Sequence, residues 1–393
     1  MFQNTLHRIA VQAAHIDRID VGGSLTHIPV GTRFYAMYQD MPVAVGASAF
    51  KPQRKKNPED VFVRSRHIEG REELATWLEF NCCPPQILQG HNVWGHGNLQ
   101  DYVTAIFERQ VDKFGFQPTD AERRHWHGGN VELNHIHLTA NIFVPESAKT
   151  ALVDAVDQNN LKGKRRDHET SIGLGYNGDR RSEYRAASMY DKAPELLLKW
   201  KVPGPYQDKI VNLMRGAMRF EIKLFRKALK QLNRSKVRDW QGVDVTTLFF
   251  ECLAKFNFAN SIQPLLTEDE LHMLTKRELQ AYVLWLEGHP LATFASRTTV
   301  WKYIKAVKGK VGIDMSAHRR PEKLPKIDLA DLLVPSNIVP IPTWLPEIGR
   351  YWAPGMAASE FEVKQAQRLV CPAPSAPAGK TGLDDGELDK LAY

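Results

Sequence analysis

Between residues 134 and 144 the chain alternates without a break. His135, His137, Thr139 and Asn141 share one parity; Ile136, Leu138, Ala140 and Ile142 share the other. A side-chain period of two places these sets on opposite faces of a strand buried on one side. Residues 218–224 repeat the pattern, with Arg219, Glu221 and Lys223 opposing Met218, Phe220, Ile222 and Leu224. Residues 169–176 and 181–190 flank Asn177-Gly178-Asp179-Arg180. Asn-Gly there predicts a hairpin, because both central positions of a type I′ turn need positive φ. The first 100 residues mix short apolar runs with Gly and Pro, which predicts further strands. Residues 51–59 read as an exposed loop, and 72–81 have helical spacing.

A period near 3.6 takes over from about Val243. Residues 246–258 and 268–285 carry apolar side chains at three- and four-residue intervals, and Thr267 with Glu270 forms a capping-box start. Residues 194–200 begin a helix with proline at an early position. Residues 296–308 (SRTTVWKYIKAVK) have Ser at the start, basic residues along one side, and Gly309 and Gly312 after them. That combination suits a DNA-recognition helix. Past Lys323 proline is frequent, and 371–380 read CPAPSAPAGK. The expected organisation is α+β: an antiparallel sheet flanked by helices in residues 1–240, a helical and helix-turn-helix-like region in 241–323, and a Pro-rich, partly disordered tail in 324–393.

Charge sharpens this picture. The chain has 52 Lys+Arg against 45 Asp+Glu, a net +7, but residues 162–238 alone hold 20 Lys/Arg and 8 Asp/Glu. That block carries +12 and the remainder −5, so a polyanionic partner is expected at the block. No apolar run approaches the ~18–20 residues of a membrane span, and the start of the chain has no basic stretch followed by an apolar one. Four cysteines without a C-x-x-C pair argue against a zinc knuckle or a disulfide framework. A cytoplasmic protein is expected.

Three elements carry candidate chemistry. His135 and His137 lie two apart on a strand, so both imidazoles can face one metal ion. His125 and His127 have the same spacing but run into the loop signal Gly128-Gly129-Asn130. Tyr190 and Lys192, in MYDKAPE, fall where a strand gives way to a helix. A phenol of pKa near ~10 needs a cation, a base or a polarised electrophile to act as a nucleophile, and Lys192 offers positive charge. Gln89-Gly90-His91-Asn92-Val93-Trp94-Gly95 brackets His and Asn with glycines, as in a tight loop that approaches a ligand.

In this order, the blocks PQILQGHNVWG (85–95), the strand around 135–141, Tyr190-Asp191-Lys192 with Glu195, Arg219-Phe220-Glu221 and SRTTVWKY (296–303) resemble the gene II/gene X replication initiators of filamentous phages and related plasmids. The resemblance spans roughly residues 85–315. It implies a rolling-circle endonuclease of the HUH class (His, hydrophobic, His) that nicks one strand, keeps a 5′-phosphotyrosine and frees a 3′-hydroxyl. On that likeness Tyr190 is the nucleophile, Lys192 the charge stabiliser, and His135 and His137 ligands of Mg²⁺ or Mn²⁺. The third ligand is Glu221 or His91, with a carboxylate better suited to those ions. Tyr184, six residues upstream, is a candidate accessory tyrosine. DNA contacts are expected from Arg165, Arg166, Arg180, Arg181, Arg185, Lys223, Arg226 and Lys227, with Arg297 and Lys302 on the C-terminal helix. Implied partners are origin DNA held single-stranded and the host helicase and polymerase in a bacterial cytoplasm, with no membrane. A non-catalytic origin-binding protein, or a relaxase or transposase of the same class, are the rival functions.

Overall fold

The computed structural model describes residues 12–31, 33–38, 41–47, 61–69, 74–159, 164–168, 170–177, 180–200, 204–256, 266–287, 289–313, 315 and 332–356. The loop expected at 51–59 and the Gly178-Asp179 turn lie outside them. Twelve strands are described: β1 (His15–His27), β2 (Arg33–Tyr38), β3 (Met41–Ala47), β4 (Phe62–Glu69), β5 (Leu74–Cys82), β6 (Glu132–Phe143), β7 (Lys164–His168), β8 (Ser171–Leu174), β9 (Tyr176–Asn177), β10 (Arg180–Arg181), β11 (Arg185–Asp191) and β12 (Ala217–Phe225). Eight form one antiparallel sheet in the order β4-β5-β1-β6-β12-β11-β8-β7; β2 pairs with β3, and β9 with β10.

The two alternations seen in the sequence become adjacent central strands, β6 and β12, paired from Phe225 opposite His135 to Ala217 opposite Phe143. Their apolar parity, with Ile16 and Ile19 of β1, packs on Tyr102, Ile106 and Phe107 of the helix Leu99–Phe114, Val153 of Glu146–Asn159 and Phe249 of Val245–Ala254. The helical expectation for 72–81 is corrected, because its described part, from Leu74 onward, supplies β5. Leu78, Phe80 and Cys82 alternate into the core, while Leu74, Trp77 and Leu78 had imitated a helical stripe.

Helix Asp120–His127 lies against β1 through a glycine. A Cβ on Gly23 would stand 2.5 Å from Val131 Cγ1 and 3.0 Å from the Trp126 ring, so only glycine lets Trp126 press onto the strand. Trp126 there stacks between Phe80 and Phe107, and its Nε1 donates to the Ser24 carbonyl at 3.0 Å.

A second, smaller core covers part of the opposite sheet face. It joins Val93 and Trp94 to Leu196 of helix Lys192–Lys199, to Ile210 and Met214 of helix Pro205–Arg215, and to Val339, Leu345 and Tyr351. The last three belong to the stretch expected to be tail. Residues 332–356 instead form a strap: Val339 N donates to the Asn141 carbonyl at 2.8 Å, Trp352 N to Gln89 Oε1 at 2.9 Å, and Trp352 is buried. Proline density signals a lack of backbone donors, but the strap needs only a few N–H groups and buries its aromatic residues. Residues 357–393 lie outside the described ones.

The helical region has its own core of Leu274, Tyr282, Trp285 and Val307. The helix expected over 268–285 is two, Glu268–His272 and Lys276–Leu286, because Thr275 with Glu278 makes a second capping box that restarts the chain.

Replacing Trp352 by Ala is expected to lower unfolding free energy by roughly 3–5 kcal/mol, the range for a fully buried tryptophan; a loss under about 1 kcal/mol in urea melts would show that the strap contributes little. Burial also holds the imidazoles of His15, His91 and His96 at a pKa of about 3. The unfolded chain binds protons at these sites near pH 6.5 and the folded chain does not, so stability is complete above pH 6.5 and falls as pH drops toward 3. Each contributes roughly 1.4 kcal/mol per pH unit within that window. Urea midpoints at pH 7.5 and 5.0 should differ accordingly, and equal midpoints would contradict neutral burial.

Candidate active site

Strand register assembles the site. On β12, Lys223 stands opposite His137, Glu221 opposite Thr139 and Arg219 opposite Asn141 of β6. On β11, Tyr190 faces Arg219 and Ser188 faces Glu221; on β1, Asp20 faces His135 and Arg18 faces His137. Residues directly opposite in an antiparallel pair share a face. His135, His137, Glu221 and Tyr190 therefore meet on one side of three neighbouring strands, β6, β12 and β11, away from the main core. Lys192 follows where β11 passes into helix Lys192–Lys199, the junction expected for it.

The tyrosine is held by a carboxylate. Tyr190 OH donates to Glu221 Oε1 at 2.7 Å, and Arg219 Nε donates to the same oxygen at 3.1 Å. Ser188 Oγ reaches Glu221 Oε2 at 3.4 Å and Lys223 Nζ lies 3.9 Å from it, so Oε2 is the more weakly engaged oxygen. Burial and the Glu221 charge push the Tyr190 phenol well above its usual range, so the resting group is the protonated donor. Glu221 titrates below its ordinary value despite its burial, because the Arg219 guanidinium stabilises its charge.

Arg219 has no exposed surface. Its Nη1 donates to the Asn92 carbonyl at 2.6 Å and its Nη2 lies 2.8 Å from Asp17 Oδ1. Asp17 also accepts from Asn92 Nδ2 at 2.9 Å and from Cys83 Sγ at 3.3 Å. It sits where the β1–β6 register shifts between Ile16 and Arg18, the irregularity that turns an extra polar residue toward the site. Arg219 keeps the Asp17 carboxyl well below the carboxylate range against the opposing effect of burial. Lys192 Nζ donates to Glu195 Oε2 at 2.6 Å and lies 5.6 Å from the Tyr190 ring centroid; burial lowers its pKa.

The histidine pair has its rings 5.4 Å apart, centroid to centroid. Burial keeps His137 at a pKa of about 3, hence neutral, and its Nε2 is buried with no protein partner. His135 is held from behind: Nδ1 lies 3.6 Å from Asp20 Oδ2, and Asn81 Nδ2 contacts both His135 Nε2 at 3.3 Å and Asp20 at 2.9 Å. A neutral imidazole with an unpartnered buried nitrogen, beside one oriented by a carboxylate, fits metal ligation. Among the described residues, no three His, Cys, Asp or Glu side chains are grouped closely enough to hold an ion as they stand. His91, the other candidate third ligand, is engaged elsewhere: Nε2 bonds the Arg350 carbonyl at 2.8 Å and Nδ1 accepts from Val93 N at 3.3 Å. The glycine-bracketed loop is thus a structural seat. Gly90 closes helix Pro84–Gln89 at φ +84°, and Gln89 Nε2 donates to the Trp94 carbonyl at 2.6 Å.

Basic residues line open clefts beside His135. One cleft of about 630 Å³ is bounded by Asn134, His135, Arg226, Lys227 and Lys230; a second of about 530 Å³ shares Asn134 and Arg226 and adds Arg64 and Arg66. Arg226 bonds Glu132 and Asn134, Lys227 pairs with Glu183, and Arg185 contacts Gln231. Arg165, Arg166, Arg180 and Arg181 place their backbones in β7 and β10, and their side chains lie outside the described ones. Tyr184 precedes β11, is half exposed, and has Lys227 over its ring, so it is not part of the Tyr190 cluster. Asp17, Asp20, Asn81, Arg64 and Arg66 escaped the sequence reading. Aspartates in the strand-like HIDRID run were the available signal, since strands disfavour them.

Among the described residues no helix is long and apolar enough to cross a membrane. Residues 54–243 match the family model for the N-terminal part of the gene II type of phage replication-associated protein. The chain is also similar to the replication-associated protein of this type from Enterobacteria phage I2-2, with 24% identity over 324 residues, covering 80% of this chain and 88% of that protein. The matched region contains His135, His137, Tyr190, Lys192, Arg219 and Glu221, and over it the chain is similar to the gene II type of phage replication-associated protein.

Proposed function

We propose that this chain initiates rolling-circle replication of phage or plasmid DNA as a site-specific single-strand endonuclease and strand-transferase. The observation that carries the reading is Tyr190 OH bonded at 2.7 Å to Glu221, on the sheet face that also presents His135 and His137. The similarity to a phage replication-associated protein supports the replication role. Origin DNA, held single-stranded where it is cut, is the substrate, and the host helicase and polymerase of a bacterial cytoplasm are the partners that extend the product.

In this reading Glu221 accepts the phenolic proton as Tyr190 Oη attacks phosphorus. The P–O3′ bond breaks, the tyrosine keeps the 5′-phosphate, and the leaving 3′-oxygen takes a proton from water to become the free 3′-hydroxyl. Arg219 keeps Glu221 ionised and aimed, so the acceptor is in place before the substrate arrives. Lys223 and Lys192 bring positive charge toward the developing phosphoryl charge. His135 and His137, with Glu221 as the candidate third ligand, would hold Mg²⁺ or Mn²⁺, which supplies Lewis-acid polarisation of the phosphate when bound. Covalent capture conserves the bond energy, so the enzyme can religate the strand after one round.

Tyr190→Phe is expected to bind origin DNA as the wild type does and to yield no covalent adduct with supercoiled origin DNA and Mg²⁺ or Mn²⁺. Undiminished nicking by this variant would remove the nucleophile assignment; binding by the wild type with no adduct would favour a non-catalytic origin-binding protein. His137→Ala is expected to cut divalent-dependent nicking by about 100-fold or more while salt-sensitive DNA binding persists. Nicking at the normal rate would reject the ligand role.

A further inference from the structure

The helical region carries a surface that the nicking site does not use. Helix Arg297–Val311 has five Lys/Arg and no Asp/Glu. Val300, Tyr303, Ile304, Val307 and Val311 face the region's own core. The opposite side presents Arg297, Trp301, Lys302, Lys305 and Lys308, all exposed. The described residues include all nine tryptophans, and Trp301 alone is exposed, at 62%. Its core-facing neighbours complete the packing without it. Lys305 Nζ sits 5.4 Å from its ring centroid, which keeps an ammonium beside the indole.

We infer that this helix is a grip for unpaired nucleotides, with Trp301 as a stacking platform and the flanking cations on the phosphates. Charge complementarity selects a polyanion. The indole selects single strand over duplex: a stacked base pair shows only its edges in a groove, whereas an unpaired base offers a π-face to an aromatic ring. A tryptophan among lysines is poorly suited to reading groove edges by hydrogen bonds and well suited to sequence-tolerant stacking. The inference rests on the DNA reading above and adds a second contact, outside the Tyr190 site, that engages DNA once it is opened.

The test uses the full chain in a Tyr190→Phe background, so that strand cleavage plays no part. Fluorescence anisotropy measures binding of a labelled oligonucleotide of unrelated sequence, as single strand and as duplex, across a salt series. Trp301→Ala is expected to weaken single-strand binding about 5-fold or more, with a smaller loss on duplex and an unchanged salt slope. Trp301→Phe should retain most of the affinity, and Lys302→Glu with Lys305→Glu should flatten the slope. Unchanged single-strand affinity in Trp301→Ala, or equal losses on single strand and duplex, would overturn the inference. Failure of the nicking proposal would appear as no adduct in the wild type, while this Trp301 dependence persisted.

Discussion

A guanidinium with no exposed surface organises the chemical face of this protein. Arg219 reaches Asp17 on β1, Glu221 on its own strand and the Asn92 carbonyl of the glycine-bracketed loop, all within 3.1 Å. A buried charge of this kind persists only when its partners are fixed, because leaving one ion unpaired in the interior costs roughly 3–5 kcal/mol. The requirement runs in both directions. Asp17 must be turned inward by the shift in the β1–β6 register, and Asn92 must be delivered by the loop, before Arg219 can be buried at all.

The surrounding architecture follows from that constraint. The main core covers one sheet face with helices. The second core brings Trp94, Leu196 and the 332–356 strap over the other, enclosing the loop that carries Asn92. Within this enclosure electrostatic interactions are stronger than in water. Tyr190 stays protonated and hydrogen-bonded, Glu221 stays ionised, and His137 stays neutral with a free buried nitrogen. A phenol donor, a carboxylate acceptor and a neutral imidazole lie side by side without further rearrangement of the sheet.

Local periodicity made the strands of the candidate site legible. The alternations around His135 and Glu221 follow from burial on one face, and the strand-to-helix step at Lys192 follows from proline two residues later. Strand β5 was not legible because Leu74, Trp77 and Leu78 fall at helical spacing beside an irregular register with β1, between Ser24 and His27. Asp17 depends on a register shift between strands distant in sequence, which no local pattern encodes. The strap was hidden by its prolines, since its order comes from Val339 and Trp352 meeting side chains 245 and 263 positions earlier. His91 illustrates the converse: a residue type suited to metals is used here to fasten a loop to a backbone carbonyl.

The most direct test of the account is the identity of the residue that carries DNA. The wild-type chain would be trapped on an origin oligonucleotide with Mn²⁺, digested, and the nucleotide-bearing peptide mapped by mass spectrometry. The account predicts a phosphotyrosyl linkage at Tyr190 alone. A linkage at Tyr184, or at any residue off the sheet face shared by Glu221 and the histidine pair, would contradict it.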